Sequence, residues 1–399
     1  MRDRSLKICR LAVPALCLWA ANAPDIRAGA PRAPEATRQA QGETIRVEIF
    51  NEIQKIQIEL ESPGSVTDLD SGETRRLTPN QVYEVEPAGL GQIHFDNWIL
   101  GSHLRVSGEN PQKPIWLGGR PYRGSLKLRS ASSKWLNIVN ELDVEDYLNG
   151  VLAKEMGENW PMEALKAQAV VSRSYALRAL KRSSNNSFDL GSDTRFQVYD
   201  GTPRTEKIER AVRETAGEVL TYKGDLLPAY FHSCCGGHTS SAKTIWPDSE
   251  PVPAPLSGVA DRYCRLSPHY GWKVFLPLPA ILSALKPDYP EVNKIYSLRV
   301  IQRAASGYVR WIRIKTDAGM LDLLGNRFRQ ILGSDQIKSA YITRLFSYQN
   351  GFAILGRGWG HGVGMCQWGA KAQAEKGKSY KSILRFYFRG AAIDHRANL

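Results

Sequence analysis

The chain has 399 residues, of which 42% are hydrophobic and 23% charged, and its formal net charge is +13. This length suits two or three domains with a large core, and the composition excludes a disordered or fibrous chain. Basic charge suits anionic partners such as nucleic acid, wall polymers or lipid headgroups. Because the chain contains no nucleic-acid-binding motif, we expect no nucleic-acid partner.

The first 23 residues have the pattern of a secretory signal peptide: a basic start, an apolar run from Leu11 to Ala21, and a small-residue cleavage site at Ala23. We therefore expect export to the periplasm, the cell wall or the outside medium, with retention of the leader as an anchor as the alternative. No later stretch is long and apolar enough to span a bilayer. Residues 24–42, rich in Ala, Pro, Gln and Arg, are predicted to be a flexible linker.

Short runs of alternating polarity follow the linker, among them IRVEIF, IQIEL, QVYEV and QIHF, and turn residues separate them. This pattern predicts a β-rich N-terminal module over residues 43–125. Residues 126–399 mix helical and strand patterns and are predicted to form a second, mixed domain. The expected fold class is α+β.

Two consecutive helices are predicted between Asp143 and Leu180, and a carboxylate lies on the apolar face of the first. That helix begins at an Asp143 cap, and its apolar stripe continues onto Glu155. A carboxylate on a buried face needs a partner, a raised pKa or a catalytic role. A raised pKa is what a general acid requires near neutral pH.

The second helix begins after Pro161 and places Gln168, Ser172 and Arg173 among residues typical of a core. Spacing alone leaves two interpretations open. Glu155 and Arg173 could form a structural ion pair that joins the helices, or Glu155 could be catalytic.

Glycine occupies every second position from Gly356 to Gly364 in the run GRGWGHGVGMCQWGA, which covers residues 356–370. In an extended chain this leaves one face bare and aligns Arg357, Trp359 and His361 on the other. Tryptophan stacks on pyranose rings, while arginine and histidine supply hydrogen bonds, so the run predicts sugar binding. The alternative is a tight loop whose glycines adopt positive φ.

Four cysteines remain after removal of the leader: Cys234, Cys235, Cys264 and Cys366. The segment FHSCCGGHT, residues 231–239, is called the Cys/His loop. A zinc ion could be held by ligands drawn from this loop and one later cysteine: His232, Cys234, Cys235, His238 and Cys264. Their spacing matches no standard zinc signature. A disulfide from Cys234 or Cys235 to Cys264 suits an exported protein and ranks slightly above the metal. Cys366 would then stay free and buried beside the glycine run.

From about Tyr122 onward the chain resembles the SpoIID/LytB family, the stage II sporulation protein D group. The matching segments are YRGSLKL, the helix pair VLAKEM…WPMEALKAQAVVSRSYAL, QVYDG, AYFHSCCGGHT and the glycine run. The helix pair combined with the glycine run is a specific match. Cys234, Cys235 and Cys366 stand where many relatives have serine, which leaves the role of the Cys/His loop open.

The resemblance implies that peptidoglycan is the substrate and that Glu155 is the acid of a lytic transglycosylase acting on glycan strands, preferably without stem peptides. Such an enzyme requires no cofactor, because one carboxyl can donate and then recover the proton. Some relatives bind zinc in the His/Cys region, which strengthens the alternative of a structural zinc ion and leaves the choice between zinc and a disulfide open. The matching motifs imply a set of substrate-binding residues: Gln168, Arg173, Arg357, Trp359, His361, Gln367 and Trp368.

A second hypothesis from the same resemblance is a non-catalytic wall-binding protein that enhances a peptidoglycan amidase, as described for the LytB branch. Glu155 would then be a structural partner of Arg173. If the enzyme hydrolyses its substrate instead, a second carboxylate is needed, and Glu158, Asp193 and Asp200 are the candidates.

Overall fold

The computed structural model describes residues 43–183, 186–201, 205–248 and 252–398. The predicted leader and linker, residues 1–23 and 24–42, lie outside the described residues. The expected α+β class is confirmed, because the described residues before α1 form twelve strands and one short 3₁₀ helix, and helices and strands mix thereafter. Among the described helices, none combines the length and apolar character that a bilayer crossing requires.

Two antiparallel sheets form the N-terminal part, and alternation of polarity along each strand places one face in the core. In β12, for example, every second side chain from Leu136 to Leu142 is buried. The strands are β1 (Thr44–Ile53), β2 (Ile56–Leu60), β3 (Gly64–Asp68), β4 (Thr74–Leu77), β5 (Val82–Pro87), β6 (Ile93–Phe95), β7 (Trp98–Leu100), β8 (His103–Gly108), β9 (Ile115–Leu117), β10 (Arg120–Tyr122), β11 (Ser125–Ser132) and β12 (Trp135–Asp143).

The larger sheet has the order β13-β1-β12-β11-β8-β3-β4, where β13 is Leu190–Gly191, and the smaller has the order β10-β9-β2-β5-β6-β7. The first strand pairs along its length with β12, from Thr44 opposite Asp143 to Ile53 opposite Leu136. One sheet therefore contains strands from both sides of the predicted boundary at residues 125 and 126. That boundary stays a prediction.

Eight α-helices occur in the described residues: α1 (Val144–Glu155), α2 (Met162–Arg182), α3 (Glu206–Arg213), α4 (Ala242–Ile245), α5 (Leu278–Leu285), α6 (Gly325–Leu332), α7 (Gln367–Glu375) and α8 (Tyr380–Tyr387). The predicted cap at Asp143 is confirmed, since its side chain accepts a 2.7 Å hydrogen bond from the Glu145 N–H. Such a cap stabilises a helix by about 1 kcal/mol.

The remaining strands form four small sheets. Their order is β15-β14-β24, β16-β23, β17-β22-β21 and β18-β19-β20. The bounds are β14 (Glu218–Tyr222), β15 (Asp225–Leu226), β16 (Phe231–His232), β17 (Gly271–Pro277), β18 (Ile295–Arg303), β19 (Val309–Thr316), β20 (Gly319–Leu324), β21 (Ile342–Tyr348), β22 (Gly351–Arg357), β23 (Met365–Cys366) and β24 (Ala392–His395). Short 3₁₀ helices lie at Gly89–Gly91, Ala254–Leu256, Tyr263–Leu266 and Arg396–Asn398.

Three hydrophobic cores hold these elements together, and α2 belongs to two of them. Leu165 and Ala169 face the core under the N-terminal sheets, while Val170 and Val171 face a second core with α7, α8 and the four cysteines. The third core lies within residues 272–354, whose flanking residues Gly271 and Arg357 pair with each other across β17 and β22. The central position of α2 places its polar residues between two packed layers.

Candidate active site

Glu155 is the last residue of α1, and its side chain is half-buried. The helix ends here because Gly157 follows with a φ of +79°. One carboxylate oxygen accepts a hydrogen bond from the Val198 N–H at 3.0 Å, and the other accepts from the Gln367 amide at 3.3 Å. Burial raises the pKa of Glu155, and these two hydrogen bonds lower it only in part. The result is a carboxyl that holds its proton closer to neutral pH than an exposed glutamate does.

The loop that carries Val198 is fixed by a buried polar network. Gln197 is fully buried, donates to the Ser172 carbonyl at 3.2 Å and accepts from the Tyr147 hydroxyl at 3.3 Å. Gly150 lets this loop lie close to α1, since a Cβ on Gly150 would be 2.2 Å from the Gly201 carbonyl oxygen. The Val198 N–H is therefore directed at Glu155 by packing against the two helices.

Gln367 begins α7 and is only 4% exposed. It lies 212 residues from Glu155 in the chain, and Val198 lies 43 residues away. The predicted site residue Gln367 thus meets Glu155 directly, whereas Val198 was missed. Val198 contributes its backbone N–H, and the only sequence signal for it is its position in the QVYDG segment.

The ion pair considered between Glu155 and Arg173 is wrong. The Arg173 guanidinium, fully buried, donates to both carboxylate oxygens of Glu145, at 2.9 and 2.6 Å, and to the Glu218 carbonyl at 3.0 Å. The turn between α1 and α2 reverses the chain, so the start of α1, not its end, lies beside Arg173.

Gln168 is also fully buried, and its amide donates to the Ser172 hydroxyl at 3.0 Å. Neither Gln168 nor Arg173 reaches the surface in this structure. Arg173 joins α2 to α1 and to β14, whereas the Gln168 amide bonds within α2. The substrate-binding role expected of both residues stays a prediction.

The extended conformation expected for the glycine run is wrong beyond Arg357. Gly358, Gly360, Gly362 and Gly364 have φ values of +79°, +109°, +82° and +73°. The alternative, a tight loop that requires glycine, is confirmed. A Cβ at Gly358 would lie 2.5 Å from the Cys234 carbonyl oxygen, and a Cβ at Gly364 would lie 2.0 Å from the carbonyl oxygen of Tyr230, just before the Cys/His loop. The bare backbone therefore lets the run pack directly against this loop.

Partly exposed aromatic rings form a row that starts beside Gln367. We call Trp160, Trp368, His269 and Trp359 the aromatic row. Successive ring centroids are 5.4, 6.3 and 4.5 Å apart. Two lysines lie over its indoles, Lys371 at 4.6 Å from Trp368 and Lys338 at 4.5 Å from Trp359. Trp359 and Trp368 were predicted, whereas Trp160, His269 and both lysines were not assigned to the site.

The other predicted residues of the run lie to either side of this row. Arg357 is exposed and its guanidinium lies 5.6 Å from the Tyr270 ring. His361 is half-buried, accepts the Val363 N–H at 3.0 Å and lies 5.6 Å from the His232 ring. Burial, together with His232 and Arg329, lowers the pKa of His361 well below its ordinary value, so its imidazole is neutral near pH 7.

The carboxylates considered as a second catalytic group have other partners. Asp200 pairs with Arg120 and, at 2.8 Å, with Lys154. Asp193 pairs with Arg195 at 2.7 Å, and Glu158 is exposed in the turn after α1. Both aspartates thus form ion pairs with arginine or lysine, in contrast to Glu155, whose described hydrogen-bond donors are neutral.

The cysteines converge in a buried cluster whose composition differs from the predicted zinc set. The sulfur atoms of Cys235, Cys264 and Cys366 and a carboxylate oxygen of Asp261 all lie within 4.8 Å of one another. Cys234 is within hydrogen-bonding reach of the Cys264 and Cys366 thiols. All four cysteines are unbonded thiols, and the expectation that Cys366 is buried is confirmed.

The two histidines of the predicted zinc set do not join this cluster. His232 bonds through Nδ1 to the Val363 carbonyl at 3.1 Å, and His238 bonds through Nδ1 to the Thr239 carbonyl at 2.6 Å. Sequence reasoning missed Asp261, three positions before Cys264, because a lone aspartate in a loop gives little signal. Zinc and a disulfide both stay predictions for these cysteines.

Comparison with known proteins gives two family matches. The profile of a family described as "Stage II sporulation protein" (SpoIID) matches residues 132–222, which include α1 and α2, and a domain of unknown function (DUF8618) matches residues 264–364. A stage II sporulation protein D of Bacillus amyloliquefaciens is 30% identical over 276 residues, covering 64% of this chain and 75% of that protein.

Two further relatives extend the similarity. An uncharacterized protein of Brachyspira hyodysenteriae is 38% identical over 286 residues, covering 71% of this chain and 74% of that protein. An amidase enhancer of Bacillus subtilis is 31% identical over 356 residues, covering 76% of this chain and 48% of that protein. The chain belongs to the SpoIID/LytB family. This membership supports a role related to the cell wall.

Proposed function

We propose that this protein is an exported lytic transglycosylase that cleaves peptidoglycan glycan strands in the periplasm or cell wall, with Glu155 as its general acid and base. The observation that carries the proposal is the environment of Glu155. Its carboxyl is half-buried, its pKa is raised by burial, and its described hydrogen-bond donors are the neutral groups of Val198 and Gln367. It can therefore be protonated when substrate binds and stable as a carboxylate after it has given up the proton.

The reaction needs one carboxyl. Glu155 donates its proton to the oxygen that leaves the anomeric carbon of a muramic acid residue, and the glycosidic bond breaks. The 6-hydroxyl oxygen of the same sugar then bonds to that carbon, and its proton returns to Glu155. The Val198 N–H and the Gln367 amide stabilise the carboxylate between the two proton transfers. The product ends in an anhydro sugar, and no water is consumed.

The aromatic row supports glycan binding beside this carboxyl. Trp160, Trp368 and Trp359 are the indoles of this row, and an indole face is a surface on which a pyranose ring can stack. Gln367 touches Glu155, and Trp368 follows it in the chain, so the row begins next to the reacting group.

Lys371 and Lys338 give a physical reason for a preference for strands without stem peptides. Removal of the stem peptide exposes the lactyl carboxylate of muramic acid, whereas an attached peptide converts that group to an amide. The ammonium groups of the two lysines lie over Trp368 and Trp359 and can pair with such carboxylates. Strands that keep their stem peptides would lose these pairs.

The test is mass spectrometry of the sugars released from peptide-stripped glycan strands by the chain without residues 1–23. We expect anhydro-muramic products from this chain and a loss of rate of about 100-fold or more for Glu155→Gln, the usual contribution of a general acid. Glu158→Gln, in the exposed turn three residues on, is the matched control and should retain activity. Reducing-end products would contradict the proposal and indicate a hydrolase.

The similarity to an amidase enhancer favours a second candidate, a wall-binding protein that stimulates a peptidoglycan amidase without cutting glycan. The aromatic row would then serve binding alone. Under this alternative Glu155→Gln leaves stimulation of the amidase unchanged, whereas removal of the indole in Trp368→Ala reduces it. Glycan binding without any released sugar would favour this candidate.

A further inference from the structure

We propose that the outer face of the sheet β17-β22-β21 is a second glycan-binding surface, which holds the part of a peptide-stripped strand that extends past the aromatic row. We call it the cationic–aromatic face, and its main side chains are Lys273, Phe275, Arg344, Phe346, Tyr348 and Arg357. The sheet lies within residues 264–364, the segment that matches a domain of unknown function. The choice of peptide-stripped glycan as the ligand rests on the proposed function.

Strand register places these side chains on one side of the sheet. Residues directly opposite each other in neighbouring strands point to the same side, and so do alternate residues along one strand. The alternate residues Leu276 and Ile354 are buried in the third core, so the other set projects outward. Its cross-strand rows are Lys273–Leu355–Arg344, Phe275–Ala353–Phe346 and Pro277–Gly351–Tyr348.

The aromatic side chains of this face are exposed yet held against the sheet. Phe275, Phe346 and Tyr348 are 37%, 46% and 51% exposed. The centroids of the Phe275 and Tyr348 rings lie 5.9 Å apart. A Cβ on Gly351 would lie 2.9 Å from the Phe275 ring, so this ring covers bare backbone of the central strand. A contiguous exposed apolar patch commonly marks a binding surface, and such rings can stack on pyranose rings.

The cations of the face have no acidic counterpart on the sheet. The three strands contain three charged residues, Lys273, Arg344 and Arg357, and all of them are basic. In the part of the chain that the structure describes, none of the three forms an ion pair with a carboxylate. Charge complementarity therefore favours an anionic ligand. Peptide-stripped glycan combines the two required features, because its sugar rings can stack and its lactyl carboxylates can pair with lysine and arginine.

The cationic–aromatic face begins where the aromatic row ends. His269 lies two residues before β17, and Trp359 lies two residues after β22. Their ring centroids are 4.5 Å apart, and the adjoining strand ends Gly271 and Arg357 pair with each other. From Arg357 to Gly351, the residue opposite Tyr348, the central strand extends over about 20 Å at about 3.4 Å per residue. A glycan strand that passes Trp359 can therefore continue over this face.

The test is equilibrium binding of fluorescently labelled, peptide-stripped glycan strands to the chain without residues 1–23. The chain would carry Glu155→Gln, so that no strand is cut during the measurement. We expect Phe346→Ala combined with Tyr348→Ala to weaken binding about 10-fold or more, since two stacking rings are lost. Arg344→Glu should weaken binding strongly at low salt and less at high salt, because salt screens exposed charges. Arg344→Lys, which keeps the charge, should bind nearly as the parent chain does.

Controls separate the face from the rest of the unit. Lys315 and Met320 are exposed and lie opposite each other on β19 and β20, in a separate sheet. Lys315→Glu combined with Met320→Ala makes the same kinds of change and should keep the affinity of the parent chain. Methyl esterification of the lactyl carboxylates should weaken binding to the parent chain and make Arg344→Glu no weaker than the parent.

The outcomes distinguish this inference from the proposed function. Unchanged strand affinity in the aromatic and Arg344→Glu variants would overturn the inference, even if Glu155→Gln abolishes cutting. Weaker strand binding by these variants would support it, even if the parent chain releases no sugar. If the variants lose binding to phosphatidylglycerol vesicles while strand affinity is unchanged, the face is a lipid-headgroup surface and the inference is overturned.

Discussion

Glu155 combines three conditions that a single-carboxyl mechanism requires. Its position at the end of α1 lets one side of the side chain face the surface, while the apolar stripe of the helix removes water from the other. The amide and N–H donors can stabilise its carboxylate, yet they are weaker than a guanidinium or an ammonium would be. An ion pair with Arg173 would have lowered the pKa of Glu155 and removed its capacity to act as an acid.

Replacing Glu155 should stabilise the protein in a pH-dependent way. Burial raises the pKa of the folded Glu155 above its unfolded value, so its contribution to stability is fully present below the unfolded pKa, about 4, and is lost as the pH rises through the folded pKa. Glu155→Gln should therefore have a higher Tm than the parent chain at neutral pH and the same Tm near pH 3. Thermal melts between pH 3 and neutral pH measure this difference in Tm, and Glu158→Gln should show no increase in Tm over the parent chain. Equal Tm values at all pH values would contradict the account.

Gln367 should tune the pH dependence of the reaction. Its amide donates to the Glu155 carboxylate and thereby lowers the pKa of Glu155. Removal of the donor in Gln367→Leu raises that pKa, so the acid form persists to higher pH. In a profile of kcat/KM against pH, the alkaline limb should shift upward in pH. A limb that stays in place, or moves downward, would show that Gln367 does not act through Glu155.

These two residues could be found from sequence because each lies in a strong local pattern. Glu155 interrupts an apolar helical stripe, and Gln367 lies in a glycine-rich motif with a family resemblance. Val198 and Asp261 could not be found in this way. Val198 acts through its backbone N–H, which every non-proline residue carries, and Asp261 depends on a cluster assembled from distant segments.

The pairing of α1 with α2 depends on Arg173, which is buried without exposure to water and held by Glu145. Removing the charge of Glu145 leaves this cation uncompensated in the interior, which commonly costs about 3 kcal/mol. We expect Glu145→Gln to lower the free energy of unfolding by about that amount in urea titrations. The double variant with Arg173→Met should lose less, because it removes both charges. A loss below about 1 kcal/mol for the single variant would place the pair among weak surface ion pairs.

The backbone conformation of the glycine run could not be predicted from the sequence. Its composition predicts either an extended strand or a tight loop, because glycine adopts both conformations readily. The choice depends on close contacts with residues more than 100 positions away, such as the Tyr230 carbonyl opposite Gly364. The helices α1 and α2 could be predicted because a cap, a proline and an apolar period all lie within the local sequence.

The N-terminal sheets and the helix pair share one hydrophobic core, so we expect them to fold together. In the larger sheet β12 lies between β1 and β11, and Val144 and Leu165 pack into the same core as Ile45 and Val47. A chain of residues 126–399 alone would leave β12 with an unpaired edge and expose these side chains. We expect it to lack a cooperative thermal transition, whereas residues 43–399 should show one. A cooperative transition in the shorter chain would show that the predicted domain boundary at residues 125 and 126 is a folding boundary.

The source of the oxygen atoms in the released sugars tests most directly whether the whole molecule acts as a transglycosylase. Peptide-stripped glycan strands would be digested in water enriched in oxygen-18, and the released sugars analysed by mass spectrometry. Closure of the anhydro ring by the sugar's own hydroxyl predicts products without the heavy isotope, formed by the parent chain and not by Glu155→Gln. Reducing-end sugars that carry oxygen-18 would contradict the account, because they require water as the attacking group.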